Sequence, residues 1–108
     1  MIHHSDAVLA NWPNLSLAEQ LANVGSEVSR AAKWQGKDKG IADRAYERML
    51  ELLNATILCQ TERPALKELT RVRELMNASY YQESPVMLSE FNKYFFPFAV
   101  LANKHRQS

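Results

Sequence analysis

The amino-acid sequence predicts an all-α protein, built as an up-and-down antiparallel four-helix bundle with a short N-terminal arm. Three observations predict it. Apolar residues recur at three- and four-residue steps through four separate stretches. Most of these stretches open on a recognisable start signal, either a reciprocal capping pair or a capping residue followed by proline. Nowhere does the chain alternate apolar and polar residues over a useful length, and it carries no Asn-Gly hairpin pair. The joints are about 4 to 6 residues long, which forces successive helices to fold back on one another. The predicted organisation is an arm over 1–14, a bundle over 15–102 and a frayed polar tail over 103–108.

The arm carries His3, His4 and Asp6, and Trp12 is the residue expected to anchor it across one end of the bundle. The first bundle helix opens at Ser16-Leu17-Ala18-Glu19, where the serine oxygen accepts from a free backbone N–H and the glutamate reaches back. Leu17, Leu21, Val24, Val28 and Ala31 or Ala32 form its stripe. Gly25 costs this helix about 1 kcal/mol relative to alanine unless it admits a close neighbour. The helix ends near Trp34, and Gly36-Lys37-Asp38-Lys39-Gly40 reads as a turn.

From Ile41 the second helix carries Ala45, Met49, Leu52, Leu53, Thr56 and Ile57, widened by Ala42, Tyr46 and Leu50. It stops around Gln60, and Thr61-Glu62-Arg63-Pro64 starts the third, with Leu66, Leu69, Val72, Met76 and Tyr80 on one stripe. Ser84-Pro85 repeats the signal and predicts a fourth helix with Leu88, Phe91, Phe95, Phe98 and Leu101 or Ala102 inward. Pro97 should kink that helix or divide it near Phe96, because proline supplies no donor to the Lys93 carbonyl.

The composition excludes several functions. Lys plus Arg at 13 against Asp plus Glu at 12 leaves a formal charge of +1, too little for the global field of a dedicated nucleic-acid binder. The single cysteine, Cys59, rules out an internal disulfide and a zinc knuckle, and makes the cytoplasm the expected compartment. No stretch approaches the roughly 20 apolar residues of a membrane span, and the first 14 residues lack the basic flank and long apolar core of a secretory signal. The three histidines, His3, His4 and His105, sit in the two predicted mobile ends, where no base is held in place for a nucleophile. No Glu-x-x-His spacing and no phosphate-cradling glycine loop occurs. Neither a catalytic residue nor a metal or cofactor is therefore expected.

Two features point to binding. Between Arg30 and Arg48 six basic residues oppose Asp38, Asp43 and Glu47, a local excess of +3. With Trp34 inside it, the segment has the cations and the ring that single-strand RNA binders use, and Arg30, Trp34, Arg44 and Arg48 are the candidates. The plainer reading is a solvated face whose cations suit a helix C-terminus. Arg73 lies beside the stripe of the third helix, and an arginine there is expected to pair with Glu27 or Glu47 across the bundle, or to recognise a ligand.

The segment Arg73-Glu74-Leu75-Met76-Asn77-Ala78-Ser79-Tyr80-Tyr81 resembles the third-helix signature of HEPN-type helical bundles. In that signature an arginine, a polar residue, three variable residues and a histidine precede an aromatic pair. Arg73 and Tyr80-Tyr81 match, while Glu74 stands where asparagine is common and Ala78 where the histidine belongs. The resemblance covers about Ile41 to Tyr81. It implies a dimeric four-helix bundle, associated with a nucleotidyltransferase or a toxin–antitoxin system. It implies binding of RNA without cleavage, since active members need the arginine and the histidine together. Asn23 to Trp34 also looks like the opening of small bacterial helical proteins, a likeness that implies no function.

The apolar faces of the second and fourth helices look wider than one bundle uses, which predicts a homodimer. The expected function is a non-enzymatic protein-interaction module that takes a protein partner, with RNA binding as the alternative.

Overall fold

A computed structural model describes residues 4–107 and shows helices and turns with no strand among them. The expectations for the side chains of His3 and His4 and for Ser108 lie outside the described residues. The helices are α1 (His4–Asn11), α2 (Leu17–Trp34), α3 (Lys39–Leu58), α4 (Arg63–Tyr80) and α5 (Asn92–Gln107), with 3-10 turns at Trp12–Asn14 and Leu88–Phe91. None of the described helices is long and apolar enough to cross a membrane.

Local chemistry explains where most helices begin. The Ser16 hydroxyl accepts from Glu19 N at 3.1 Å while the Glu19 carboxylate accepts from Ser16 N at 3.0 Å, so the reciprocal cap forms as predicted. Asp38 caps α3 by accepting from Ile41 N at 3.1 Å, which starts this helix at Lys39, inside the stretch read as a turn. Pro64 occupies the first turn of α4, where its missing N–H is not needed.

The fourth predicted helix starts later than Ser84-Pro85, at Asn92. The reason is competition for backbone groups. The Ser79 hydroxyl donates to the Val86 carbonyl at 2.7 Å, Val86 N donates to Ser84 Oγ, and Glu90 N turns to the Met87 carbonyl to close a 3-10 turn. From Asn92 the helix runs through Pro97 without dividing and on past Ala102 to Gln107, where the sequence had suggested fraying. Lys93 and Pro97 are both exposed, so the carbonyl that lacks a donor lies on the solvent side.

Side-chain pairs fix the directions. Glu27 meets Arg48 between α2 and α3, Gly25 meets Phe95 and Ser29 meets Asn92 between α2 and α5, and Asp43 meets Tyr80 between α3 and α4. Trp34 also lies beside Ile41, and Arg73 meets Asn54, so on all three helix pairs numbers rise on one helix as they fall on its neighbour and the pairs are antiparallel. α2 lies between α3 and α5, while α3 holds α4 and α1, so the central place expected for the second helix is shared with α2. Gly25 makes this possible, because a Cβ there would lie 2.5 Å from Phe95 Cβ.

The buried core joins Leu21, Val24 and Val28 of α2 to Met49 and Leu53 of α3, Leu69 and Met76 of α4, and Phe95 of α5. Trp12 closes one end at 1% exposure. Its indole Nε1 donates to Thr56 Oγ1 at 2.9 Å, Thr56 donates in turn to the Leu52 carbonyl, and Gln20 Nε2 donates to the Trp12 carbonyl at 2.8 Å. These bonds satisfy polar groups that burial would otherwise penalise.

Candidate functional site

The structure brings part of the predicted basic segment together. Arg30, Lys33 and Trp34 at the end of α2 line a shallow depression of about 410 Å³ with Ser29 and Ile41. The Lys33 ammonium stands 5.6 Å from the centre of the half-buried Trp34 ring. Glu27 lies between Arg30 at 3.8 Å and Arg48 at 3.6 Å and draws both cations towards the α2–α3 seam. Arg44 is exposed on α3, with its guanidinium near Gly40. The local excess of charge is therefore partly spent within the protein.

Arg73 does not join this group. Its Nη1 donates to Asn54 Oδ1 at 2.7 Å across the α3–α4 seam, so the expected pairing with Glu27 or Glu47 is replaced by a neutral amide. Asn54 is exposed and Arg73 half-buried, so truncating the arginine would strand no buried carboxylate. Spacing on α4 alone showed that Arg73 borders the core. It could not show which α3 residue stands opposite, because that depends on how the two helices cross.

A second candidate is the groove between α2 and α5, of about 290 Å³, walled by Ala22, Gly25, Ser26 and Ser29 on one side and Phe95 and Ala99 on the other. Phe96 lines the same groove and projects from it at 68% exposure. Val100, 42% exposed and one helical turn on from Phe96, extends this outward apolar face, while Leu101, 43% exposed, lies on another side of the helix. The predicted surplus on the second helix is absent: Tyr46 is buried and Leu50 packs against the core, which leaves Leu58 at the end of α3 as its exposed large apolar residue.

A third arrangement was not legible in the sequence. The rings of Tyr46 and Tyr80 stack with centroids 4.0 Å apart and planes 5° from parallel, and Tyr81 meets both edge-on. The Tyr46 hydroxyl donates to Asn77 Oδ1 and the Tyr80 hydroxyl to Asp43 Oδ1, while Lys39 Nζ reaches Asp43 Oδ2 at 2.9 Å. Burial pushes both phenols above the usual tyrosine range, and for Tyr80 the Asp43 carboxylate adds to the effect. The Tyr80 hydrogen bond, and then Lys39, hold the Asp43 carboxyl below the usual carboxylate range. Beside this cluster lies a cleft of about 330 Å³ lined by Gln35, Lys39, Asp43, Tyr80, Tyr81 and Gln82. The sequence places Tyr46 and Tyr80 on inward helix faces and Tyr81 beside Tyr80, but the stacking of the rings depends on how α3 and α4 cross.

Among the described residues no three His, Cys, Asp or Glu side chains converge in a way that could hold a metal ion. No protein-family model, curated protein or solved structure matches this chain.

Proposed function

We propose that the chain is a non-enzymatic, cytoplasmic interaction module, a four-helix bundle of α2 to α5 with the first 14 residues as its arm, that pairs with a second copy of itself. The observation that carries this reading is the position of Phe96, an exposed ring at the edge of a groove whose α2 wall is made of small side chains. A two-fold interface requires one patch to complement itself, and a ring beside a hollow on the same face meets that requirement. Phe96 of one copy enters the groove of the other, and Val100, one turn further along the same side of α5, covers the adjoining surface.

Gel filtration coupled to light scattering tests it. The wild-type chain is expected at about twice 12.4 kDa and Phe96→Glu at the monomer mass. Because Phe96 is exposed, its replacement should leave the helical circular-dichroism spectrum and the melting temperature nearly unchanged. A wild-type monomer at high micromolar concentration would sink the proposal. Leu50, half-buried and packed on the core, is unsuited to this test because charging it would damage the fold.

The cationic depression at Arg30, Lys33 and Trp34 favours a second reading, a HEPN-like module that binds single-stranded RNA without cleaving it. Here the phosphates lie on Arg30 and Lys33, with Arg44 and Arg48 alongside, and a base stacks on Trp34. Binding of labelled RNA should then fall with salt at a log–log slope near −0.7 for each phosphate neutralised. Absence of binding at about 50 mM salt would retire this reading and leave the cations as a solvated face.

A further inference from the structure

We propose that the cleft where the end of α2, the start of α3 and the end of α4 meet binds a free zwitterionic α-amino acid with an aromatic or large apolar side chain. This site is separate from the α5 face and does not depend on pairing.

The charges of the cleft carry the argument. It presents one ammonium, Lys39, and one carboxylate, Asp43, joined at 2.9 Å. A ligand of single charge would take one member of this pair and leave the other without an opposite charge. A zwitterion replaces both at once: its ammonium takes Asp43, its carboxylate takes Lys39, and the total charge of the site is unchanged. The exchange is easy to begin, since Lys39 is solvent-exposed along its length and held by a surface pair one helical turn apart. Asp43 stays in place because the Tyr80 hydroxyl grips its other oxygen.

The wall is already built. Tyr81, 61% exposed, is fixed edge-on against the Tyr46–Tyr80 stack, and the hydroxyls of those two rings are tied to Asn77 and Asp43. A rigid aromatic surface loses little freedom when an apolar side chain is laid on it. The volume of about 330 Å³ is at the small end of ligand sites and admits one amino acid.

Gln82 is an independent sign that this corner is kept for its side chains. It ends α4 with φ at 61°, in the left-handed region, while Glu83 N bonds the Ala78 carbonyl and Gln82 N the Ser79 carbonyl. That pattern favours glycine at this position, because a Cβ is strained there. A glutamine nevertheless occupies this position, against the preference of the backbone, and the residue lines both this cleft and a neighbouring hollow of about 210 Å³.

The test is an NMR titration of the isotope-labelled full chain with L-phenylalanine, N-acetyl-L-phenylalanine and L-phenylalanine methyl ester. These share the ring and differ in which charge they keep. Phenylalanine is expected to shift the amide signals of Lys39, Asp43, Tyr81 and Gln82 saturably, with a Kd on the order of 1 mM. Each blocked derivative should bind at least about tenfold more weakly. Asp43→Asn, which keeps an acceptor for Tyr80, and Lys39→Met, at an exposed position, should each weaken phenylalanine binding to a similar degree. The dispersion of the spectrum reports whether each variant is folded, and Lys39→Met decides the matter if Asp43→Asn is not. Equal binding of the ester would make this a cation site, and equal binding of the N-acetyl compound an anion site. Either result overturns the proposal, as does the absence of saturable shifts at about 20 mM phenylalanine.

Discussion

Trp12→Ala is expected to lower the unfolding free energy by about 3–5 kcal/mol, the usual range for emptying a buried aromatic site. The indole is buried under the end of α3, and its loss also leaves Thr56 Oγ1 without its donor inside the core. For a domain of this size the melting temperature should fall by roughly 4–8 °C for each kcal/mol lost. Trp12→Phe separates the two contributions, since it keeps most of the apolar surface and removes the hydrogen bond, and it should cost less than half as much. Thermal and urea melts followed by circular dichroism give both values. A loss under about 1 kcal/mol for Trp12→Ala would mean that the 3-10 turn at Trp12–Asn14 does not hold the fold together.

Gly25→Ala is expected to destabilise the protein by up to about 2 kcal/mol, although alanine is the better helix former by about 1 kcal/mol. Two effects of opposite sign compete at this position. The added methyl would stand 2.5 Å from Phe95 Cβ and 3.0 Å from Phe95 Cγ, and the first of these atoms cannot swing aside without moving α5. Overpacking of this kind typically costs 1–3 kcal/mol, enough to outweigh the gain in propensity. In a double-mutant cycle, Phe95→Gly should make Gly25→Ala far better tolerated, because it removes the Cβ as well as the ring, whereas Phe95→Ala keeps the closer of the two atoms and should relieve little. If Gly25→Ala alone raises the melting temperature, the helices can separate without loss and the close approach is not a constraint.

These two residues show unequally well in the sequence. The sequence marks Gly25 as a cost unless a close neighbour is admitted, and places Phe95 on an inward face, but does not indicate that the two meet. Trp12 was recognisable as an anchor, while Thr56 was read only as one position on a stripe. Arg73 shows the same limit in the candidate site: its place beside the core was correct, but a carboxylate was expected where Asn54 stands. The groove at Phe96 was foreshadowed by surplus apolar residues on the last helix. The same reasoning also assigned a surplus to α3, where Tyr46 and Leu50 prove to be used in packing.

What the sequence determined by itself is whatever a few adjacent residues decide. The reciprocal cap of Ser16 and Glu19, the place of Pro64 in a first turn and the inward stripes of α2 and α4, except their first members Leu17 and Leu66, which are exposed, follow from side chains that reach no further than one helical turn. The start of α5 escaped this logic because Ser79, at the end of the preceding helix, takes the Val86 carbonyl that a helix from Ser84 would have used. Only the tertiary structure decided the Tyr46–Tyr80 stack, the grip of Tyr80 on Asp43, and the meeting of Phe96 with the hollow beside Gly25. Those residues lie 34, 37 and 71 positions apart by subtraction of their numbers. Their contact depends on the rotation and crossing of whole helices, which periodicity along a single helix leaves free.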